Sequence, residues 1–454
     1  MSELKYRVAD NYIEAMGSGV RRRTDYYELI AKISFWIFCT FIIFGKDLPF
    51  KEERVEIEEV GTSNLYQQVI YIILFFTACI ALIPKIKEAW NLILREKVLT
   101  IFLLWCLLSV FWSHFSFVSF KRYFQILTAF ILFLSILVHT RSVNDLLRIP
   151  KIIFAVYIVL SIISVITIPG AKDIYGLWKG LATSKNHLGA ASLIAAIVFL
   201  LSIKRAGIIQ KVFLVMLILI SMTLLYGSGS STSLLTFCFI IFIWVLFAID
   251  DSLKQLKMGR TFSITTFGVI ILMAISAWLF APEYVQGLFT SQGKDMTLTG
   301  RTELWGDISR EISKHLYLGT GYQGYWVVDN NNVLLLYNKY IWLPQEAHNG
   351  YLDIINETGL VGIIIFVIMM VNYYVNLAGL KKVHIWKWFI LPILIINLTE
   401  SSLFRPGIIS GTFFMFSYLA LFAELRFGRE YELAETLYAK SREKKYIYQT
   451  QTAK

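Results

Sequence analysis

Apolar runs of roughly 17–20 residues recur along the chain, separated by short polar stretches, and that length suits the ~30 Å of hydrocarbon a helix must cross. The pattern predicts twelve spans, at about 29–44, 66–84, 98–116, 122–138, 152–169, 187–203, 212–226, 232–249, 262–281, 351–377, 388–399 and 411–425. A backbone in lipid must satisfy its own hydrogen bonds, so these spans are expected as helices. An even number of spans puts both termini on one side. With that side inside, the inner segments carry about twice the Lys and Arg of the outer ones, which predicts cytoplasmic termini. The chain then divides into an N-terminal cytoplasmic segment (1–28), nine spans (29–281), an outer loop (282–350), three spans (351–425) and a cytoplasmic tail (426–454). Residues 1–28 hold Arg21, Arg22 and Arg23 but no apolar stretch with a small-residue cleavage site. No removable signal peptide is expected, and the first span acts as its own insertion signal.

The outer loop breaks this rhythm. Loops longer than about 15 residues are usually functional or disordered. This one is too aromatic for a solvated linker, with Trp305, Tyr325, Trp326, Tyr337 and Tyr340 among its residues. It is expected to fold as a small, partly helical cap on the outer face. Composition agrees with a membrane protein: 56% of the chain is hydrophobic and 17% charged. In a soluble chain the net charge of +11 would suggest nucleic acid; here the positive-inside bias is the simpler cause, and no nucleic-acid partner is expected. Cys39, Cys79, Cys106 and Cys238 all fall in apolar runs, without metal-ligand spacing or a disulfide framework.

Candidate chemistry gathers on the expected outer face. Gly300 permits a tight turn, after which "RTELWGDISREISK" reads as a helix with apolar Leu304, Ile308 and Ile312. Arg301 would stand at or just before its start, where a guanidinium and free helix N–H groups suit phosphate; the alternative is a surface pair with Glu303 or Asp307. His348, followed by Asn349 and Gly350 at the edge of the tenth span, could take or give a proton near pH 7, or simply cap and pack. Between them "YLGTGYQGYW" suits a close-approach loop in which Tyr322 and Trp326 stack on a sugar, or ordinary turns in an interfacial aromatic belt. Lys121 and Arg122 begin the fourth span. Lys185, Asn186 and His187 begin the sixth. The turn "YGSGSSTSLL", with Ser231, offers backbone N–H groups to an anion, and "NLTESSLFRPG" brings Glu400 and Arg405 to the outer end of the eleventh span. Each alone is also readable as an anchor or a turn. No acidic pair suggests magnesium, and no P-loop, HExxH or GxSxG pattern is present.

The series "SKNHLG", "GSGSSTSLL", "GRTELW", "GTGY" and "HNGYLDIINETGLVG", with the large loop before the tenth span, resembles the O-antigen ligase and polymerase superfamily, most of all its exopolysaccharide-production polymerases. The resemblance runs from roughly Lys121 to Arg405. It implies a GT-C-like membrane fold of about twelve helices in the bacterial inner membrane. It implies transfer of a glycan from an undecaprenyl-diphosphate carrier to a sugar hydroxyl on the outer face, with no cofactor, nucleotide sugar or metal. Carried over, Arg301 binds the donor diphosphate, and His348 acts on the acceptor hydroxyl as its base or orients it. Arg122 and Lys185 assist with phosphate, and Asn186, His187, Ser231, Tyr322, Trp326, Asn349 and Arg405 complete the substrate site. Relatives often carry an arginine in the turn where Ser231 and Thr232 stand here. The implied partners are the lipid-linked donor, a glycan acceptor, the bilayer, a chain-length regulator and a flippase. The alternatives are a ligase onto lipid A core and a lipid-linked oligosaccharide transporter. A transporter would show internal repeats, interrupted helices and intramembrane charges, and the sequence displays none clearly.

Overall fold

A computed structural model describes residues 26–44, 65–140, 142–203, 206–253, 300–340, 342–378 and 385–428. The expected span 262–281, the cap residues 282–299 and most of both terminal segments lie outside the described residues. The other eleven expected spans are all helical. They are α1 (Tyr26–Phe44), α2 (Leu65–Leu82), which runs on through a tight turn into α3 (Ile86–Arg95), α4 (Lys97–Ser109), α5 (Ser116–His139), α6 (Val143–Thr167), α7 (Lys185–Ile203), α8 (Ile208–Gly227) and α9 (Ser231–Leu253). Then come α10 (Arg301–Lys314), α11 (Asn331–Lys339), α12 (Gly350–Ala378), α13 (Lys387–Ile396) and α14 (Ile409–Arg426). Seven of the described helices are long and apolar enough to cross a membrane, the longest running Leu65–Arg95. The chain is thus an all-α, multi-pass membrane protein. Lys97–Trp112 and Lys387–Ile396 are apolar but shorter than the expected spans 98–116 and 388–399.

α14 is the axis of the bundle. It is buried almost all round from Ser410 to Ala423, as a helix apolar on every face must be, and it packs against α13, α5, α3 and α7. Its Phe413, Phe414 and Phe416 meet rings from the surrounding helices, among them Phe154, Phe366 and Phe133. α8, by contrast, leaves Val212, Phe213, Met216 and Leu219 exposed, a surface suited to lipid. The residues after Gly300 build a second, smaller core. α10 buries Leu304, Ile308 and Ile312 as its spacing predicts, against Trp326, Val333 of α11 and Ala347. Asp307 ties α10 to the end of α11 by accepting from Lys339 and from the Tyr340 hydroxyl, each at 2.7 Å.

The long helix α12 is interrupted, which the sequence did not reveal. Gly359 has φ +69° and ψ −170°, a conformation reserved for glycine. The broken ladder is completed by the loop after α10. Thr320 and Gly321 amides donate to the Asn356 and Glu357 carbonyls, and the Leu360 amide donates to Leu316 O at 2.7 Å. Gly319 and Gly359 allow this backbone-to-backbone approach: a Cβ would lie 2.5 Å from Glu357 C in the first case and 2.2 Å from Tyr317 O in the second. A polar backbone group left open in lipid costs several kcal/mol, so loop and break are made for each other. Gly359→Ala is expected to destabilise the fold by at least about 1–3 kcal/mol, seen as a lower melting midpoint in detergent. Gly306→Ala, in the interior of α10 with open space around it, is expected to be neutral or stabilising. Equal midpoints for the two variants would show that the break is not held this way.

Candidate functional site

The site is assembled where the start of α10 meets the starts of α7 and α12 and the end of α13. The "HNG" stretch does three local jobs. His348 sits in the left-handed region with φ +49°, uncommon for a residue other than glycine. Asn349 caps α12, its side-chain oxygen accepting from the Tyr351 and Leu352 amides at 3.1 and 3.2 Å. Gly350 lets the turn after α13 come close: its amide donates to Asn397 O and Glu400 O, and a Cβ there would lie 2.1 Å from Asn397 Oδ1. Buried Asn397 holds that turn by accepting from the Ser402 and Leu403 amides. Glu400 is thereby delivered to His348.

His348 Nδ1 faces two carboxylates, Glu346 Oε1 at 3.3 Å and Glu400 Oε2 at 3.4 Å. A proton held on Nδ1 by these acceptors leaves the lone pair on Nε2, the form a general base needs. Trp342, 41% exposed, packs its ring 5.4 Å from the imidazole. Glu400 also accepts from Arg301 Nη2 at 3.1 Å and from Asn186 Nδ2 at 3.0 Å. Arg301 is the first residue of α10, after Gly300 at φ +82°, and its other terminal nitrogen donates to Thr399 O. The guanidinium thus turns to Glu400 and Thr399, and Asp307 serves Arg310, Lys339 and Tyr340 instead.

Beneath this layer lies Arg405. It donates to Asp353 Oδ2 at 2.8 Å and Glu357 Oε1 at 3.4 Å, with Glu346 Oε2 at 4.0 Å. Asp353 and Glu357 are one turn apart on the first half of α12, so a single guanidinium can serve both. Burial alone would lower the Arg405 pKa, yet these three carboxylates hold it above its ordinary value. The two acids on His348 are pushed opposite ways. Burial raises Glu346 above the usual carboxylate range, and His348 and Arg405 offset only part of that. Burial acts on Glu400 too, but the His348 hydrogen bond and the Arg301 charge more than reverse it, leaving Glu400 below the usual range.

Several residues expected to touch substrate do other work here. Tyr322 and Trp326 are each only 2% exposed and offer no open ring face. Tyr322 donates to Phe404 O and Trp326 Nε1 donates to Asp353 Oδ1. The glycines around them serve contact with the protein's own backbone and side chains, Gly321 lying against Ser113. Arg122 donates to Gln323 O and Trp326 O, which positions that loop. Lys185 is drawn to Asp173 at 3.9 Å, and exposed His187 pairs with Thr183 at 2.9 Å. In the Gly/Ser turn, the Gly229 and Ser230 amides are taken by Tyr226 O and Ser228 Oγ. Ser231 opens α9, and its neighbour Thr232 bonds Thr399 at 2.7 Å, so this turn backs the loop that carries Glu400. Sequence reasoning passed over Glu346, Asp353, Glu357 and Trp342 as site residues. The signals were Glu346 two places before His348 and the i, i+4 pair Asp353/Glu357. Glu346, His348 and Glu400 could also hold a small cation, their ligand atoms lying within 4.8 Å of one another.

Residues 214–367, which include Arg301 and His348, match a family model described as O-Antigen ligase. That description agrees with the O-antigen ligase and polymerase superfamily, which the motifs of the chain resemble. The chain is also 28% identical over 155 residues to the exopolysaccharide production protein ExoQ of Rhizobium meliloti (strain 1021). This likeness covers 33% of the chain and 34% of that protein, so the chain matches about a third of its relative's length.

Removing Arg405 would strand three carboxylates. Arg405→Ala is expected to cost about 3–5 kcal/mol, and Arg405→Lys to recover little, because one ammonium cannot reproduce a guanidinium whose Nη2 serves Asp353 and Glu357 while Nη1 faces Glu346. Thermal melts of both variants check this; a lysine variant with the wild-type midpoint would contradict it. Glu400 supplies a pH signature. Its folded pKa is depressed, so its stabilising contribution is fully present above the unfolded value of about 4.3 and is lost as pH falls through the lower folded value. Glu400→Gln should therefore melt below the wild type at pH 7, with the gap narrowing in acid below about pH 4.

Proposed function

We propose that the chain is a membrane glycosyltransferase that polymerises oligosaccharide repeat units carried on undecaprenyl diphosphate at the outer face of the bacterial inner membrane. One observation carries this reading: a single carboxylate, Glu400, joins His348 on one side to Arg301 on the other. A base and a phosphate-binding cation thus stand side by side where the cap adjoins the bundle. Transfer from a lipid diphosphate requires both. The departing diphosphate develops charge that a preorganised guanidinium stabilises. The acceptor hydroxyl, with a pKa far above 7, needs a positioned acceptor for its proton. His348 Nε2 takes that proton as the hydroxyl oxygen attacks the anomeric carbon, while Arg301 holds the leaving diphosphate. Exposed Trp342, beside the imidazole, provides the stacking face for the acceptor sugar. The scheme uses no metal, the charge on the diphosphate being met by Arg301. Cytoplasmic termini follow from the distribution of Lys and Arg. A chain-length regulator and a flippase are the partners such a pathway requires.

The name of the matched family favours a second reading, ligation of the finished glycan to lipid A core. The broken α12 brings the transporter to mind, since transporters use interrupted helices. Its break, however, is filled by the protein's own loop rather than lining a cavity, which favours a fixed scaffold.

The test is a glycan gel of purified protein with its lipid-linked repeat unit and no other acceptor, with and without EDTA. A ladder that persists in EDTA and falls at least about a hundredfold in His348→Ala and Arg301→Ala is the expected result. No ladder from the wild type would sink polymerisation and send the same protein to lipid A core as acceptor.

A further inference from the structure

Glu400 occupies the place an anion would take. Its Oε1 receives Arg301 Nη2 from α10 and Asn186 Nδ2 from α7, at 3.1 and 3.0 Å, while Oε2 meets His348 Nδ1 at 3.4 Å. Three donors from three separate elements converge on one carboxylate. Guanidinium and amide groups that fit a carboxylate fit phosphate oxygens equally well. The backbone of Glu400 is pinned, since its carbonyl accepts from the Gly350 amide and its own amide donates to Ile396 O. Its side chain is held only by the groups that a phosphate would claim and by the imidazole.

We propose that Glu400 is a positioning residue that stands in for the donor diphosphate in the empty enzyme, is displaced from Arg301 and Asn186 when the donor binds, and is then left to His348 alone. This rests on the reading of Arg301 as the diphosphate-binding residue. In the empty site much of the Glu400 charge is spent on the guanidinium. Once a diphosphate holds Arg301 and Asn186, the carboxylate has one partner, the Nδ1–H of His348. An imidazole whose N–H faces an unshared carboxylate is the stronger base at its other nitrogen. The base is thereby strengthened when the donor is in place, and water meets a weaker base in its absence. No covalent bond changes in this step; the proton stays on Nδ1 throughout.

The test uses the full chain in lipid nanodiscs, with inorganic pyrophosphate as the probe in metal-free buffer. Calorimetry compares the wild type with Glu400→Gln, Glu400→Asp and Arg301→Ala, and an infrared difference spectrum follows the carboxylate bands. Glu400→Gln is expected to bind pyrophosphate about tenfold more tightly than the wild type, yet to polymerise at least about tenfold more slowly. Glu400→Asp, charged but too short to reach all three donors, should also bind more tightly. Pyrophosphate should shift a carboxylate band in the wild type that is missing from the spectrum of Glu400→Gln. If Arg301→Ala loses binding but neither Glu400 variant gains it and no band moves, the stand-in role is overturned while Arg301 keeps its assignment. If Arg301→Ala binds as the wild type does, the diphosphate site itself is misplaced and the inference falls with it.

Discussion

Arg405 lies largely enclosed, its side chain 14% exposed, against Asp353, Glu357 and Glu346, at the edge of a bundle that has little else to offer a charge. A cation out of water is tolerable only with its counter-charges in place, and the same holds for each of those carboxylates. The pieces that carry them are therefore bound to travel together. These are the first half of α12, the strip before His348 and the loop after α13. Glu346, which faces both Arg405 and His348, links this buried charge cluster to the imidazole. What looks from the sequence like one more basic residue at the membrane surface is the ion around which the loops of the candidate site are arranged.

Close backbone approach is the second theme. Gly350 admits the Asn397 turn, Gly319 and Gly359 admit each other's strands of chain, and Gly189 admits Ser230. None of these contacts tolerates a Cβ without movement. Four residues other than glycine also take positive φ among the described residues: Gln323, Leu343, His348 and Phe404. His348 belongs to the proposed chemistry. Gln323 and Phe404 join each other, Gln323 Nε2 donating to Phe404 O at 3.0 Å. Strain of this kind persists where surrounding contacts over-determine the backbone, and here it gathers around the site.

The helices are legible in the sequence because lipid imposes a length and a hydropathy that few other environments demand. Arg301 and His348 are legible because a helix-start arginine and a histidine before an apolar run stand out against an apolar background. Tyr322 and Trp326 mislead for a physical reason. Glycines alternating with aromatics are what a sugar platform requires, and also what a loop needs to lie against a broken helix while burying its rings. Only the partner distinguishes the two, and the partner is the 356–361 segment, distant from the loop along the chain. Asp353 and Glu357 hide for a related reason. Inside an apolar run, two acids read as the polar start of a span, and their meaning depends on Arg405, which reaches them from beyond α13.

A continuous helix conducts tilt and twist from end to end. α12 does not, because at Gly359 its ladder is handed to the loop at Leu316–Gly321. The half that bears Asp353 and Glu357 is fastened to the cap, and the half beyond residue 360 answers to its helical neighbours and to the lipid. Bilayers differ in thickness, and helices tilt to match them. A change of tilt in the half beyond residue 360 is therefore not carried along a continuous ladder to Asp353 and Glu357, whose half of the helix is braced by the loop at Leu316–Gly321.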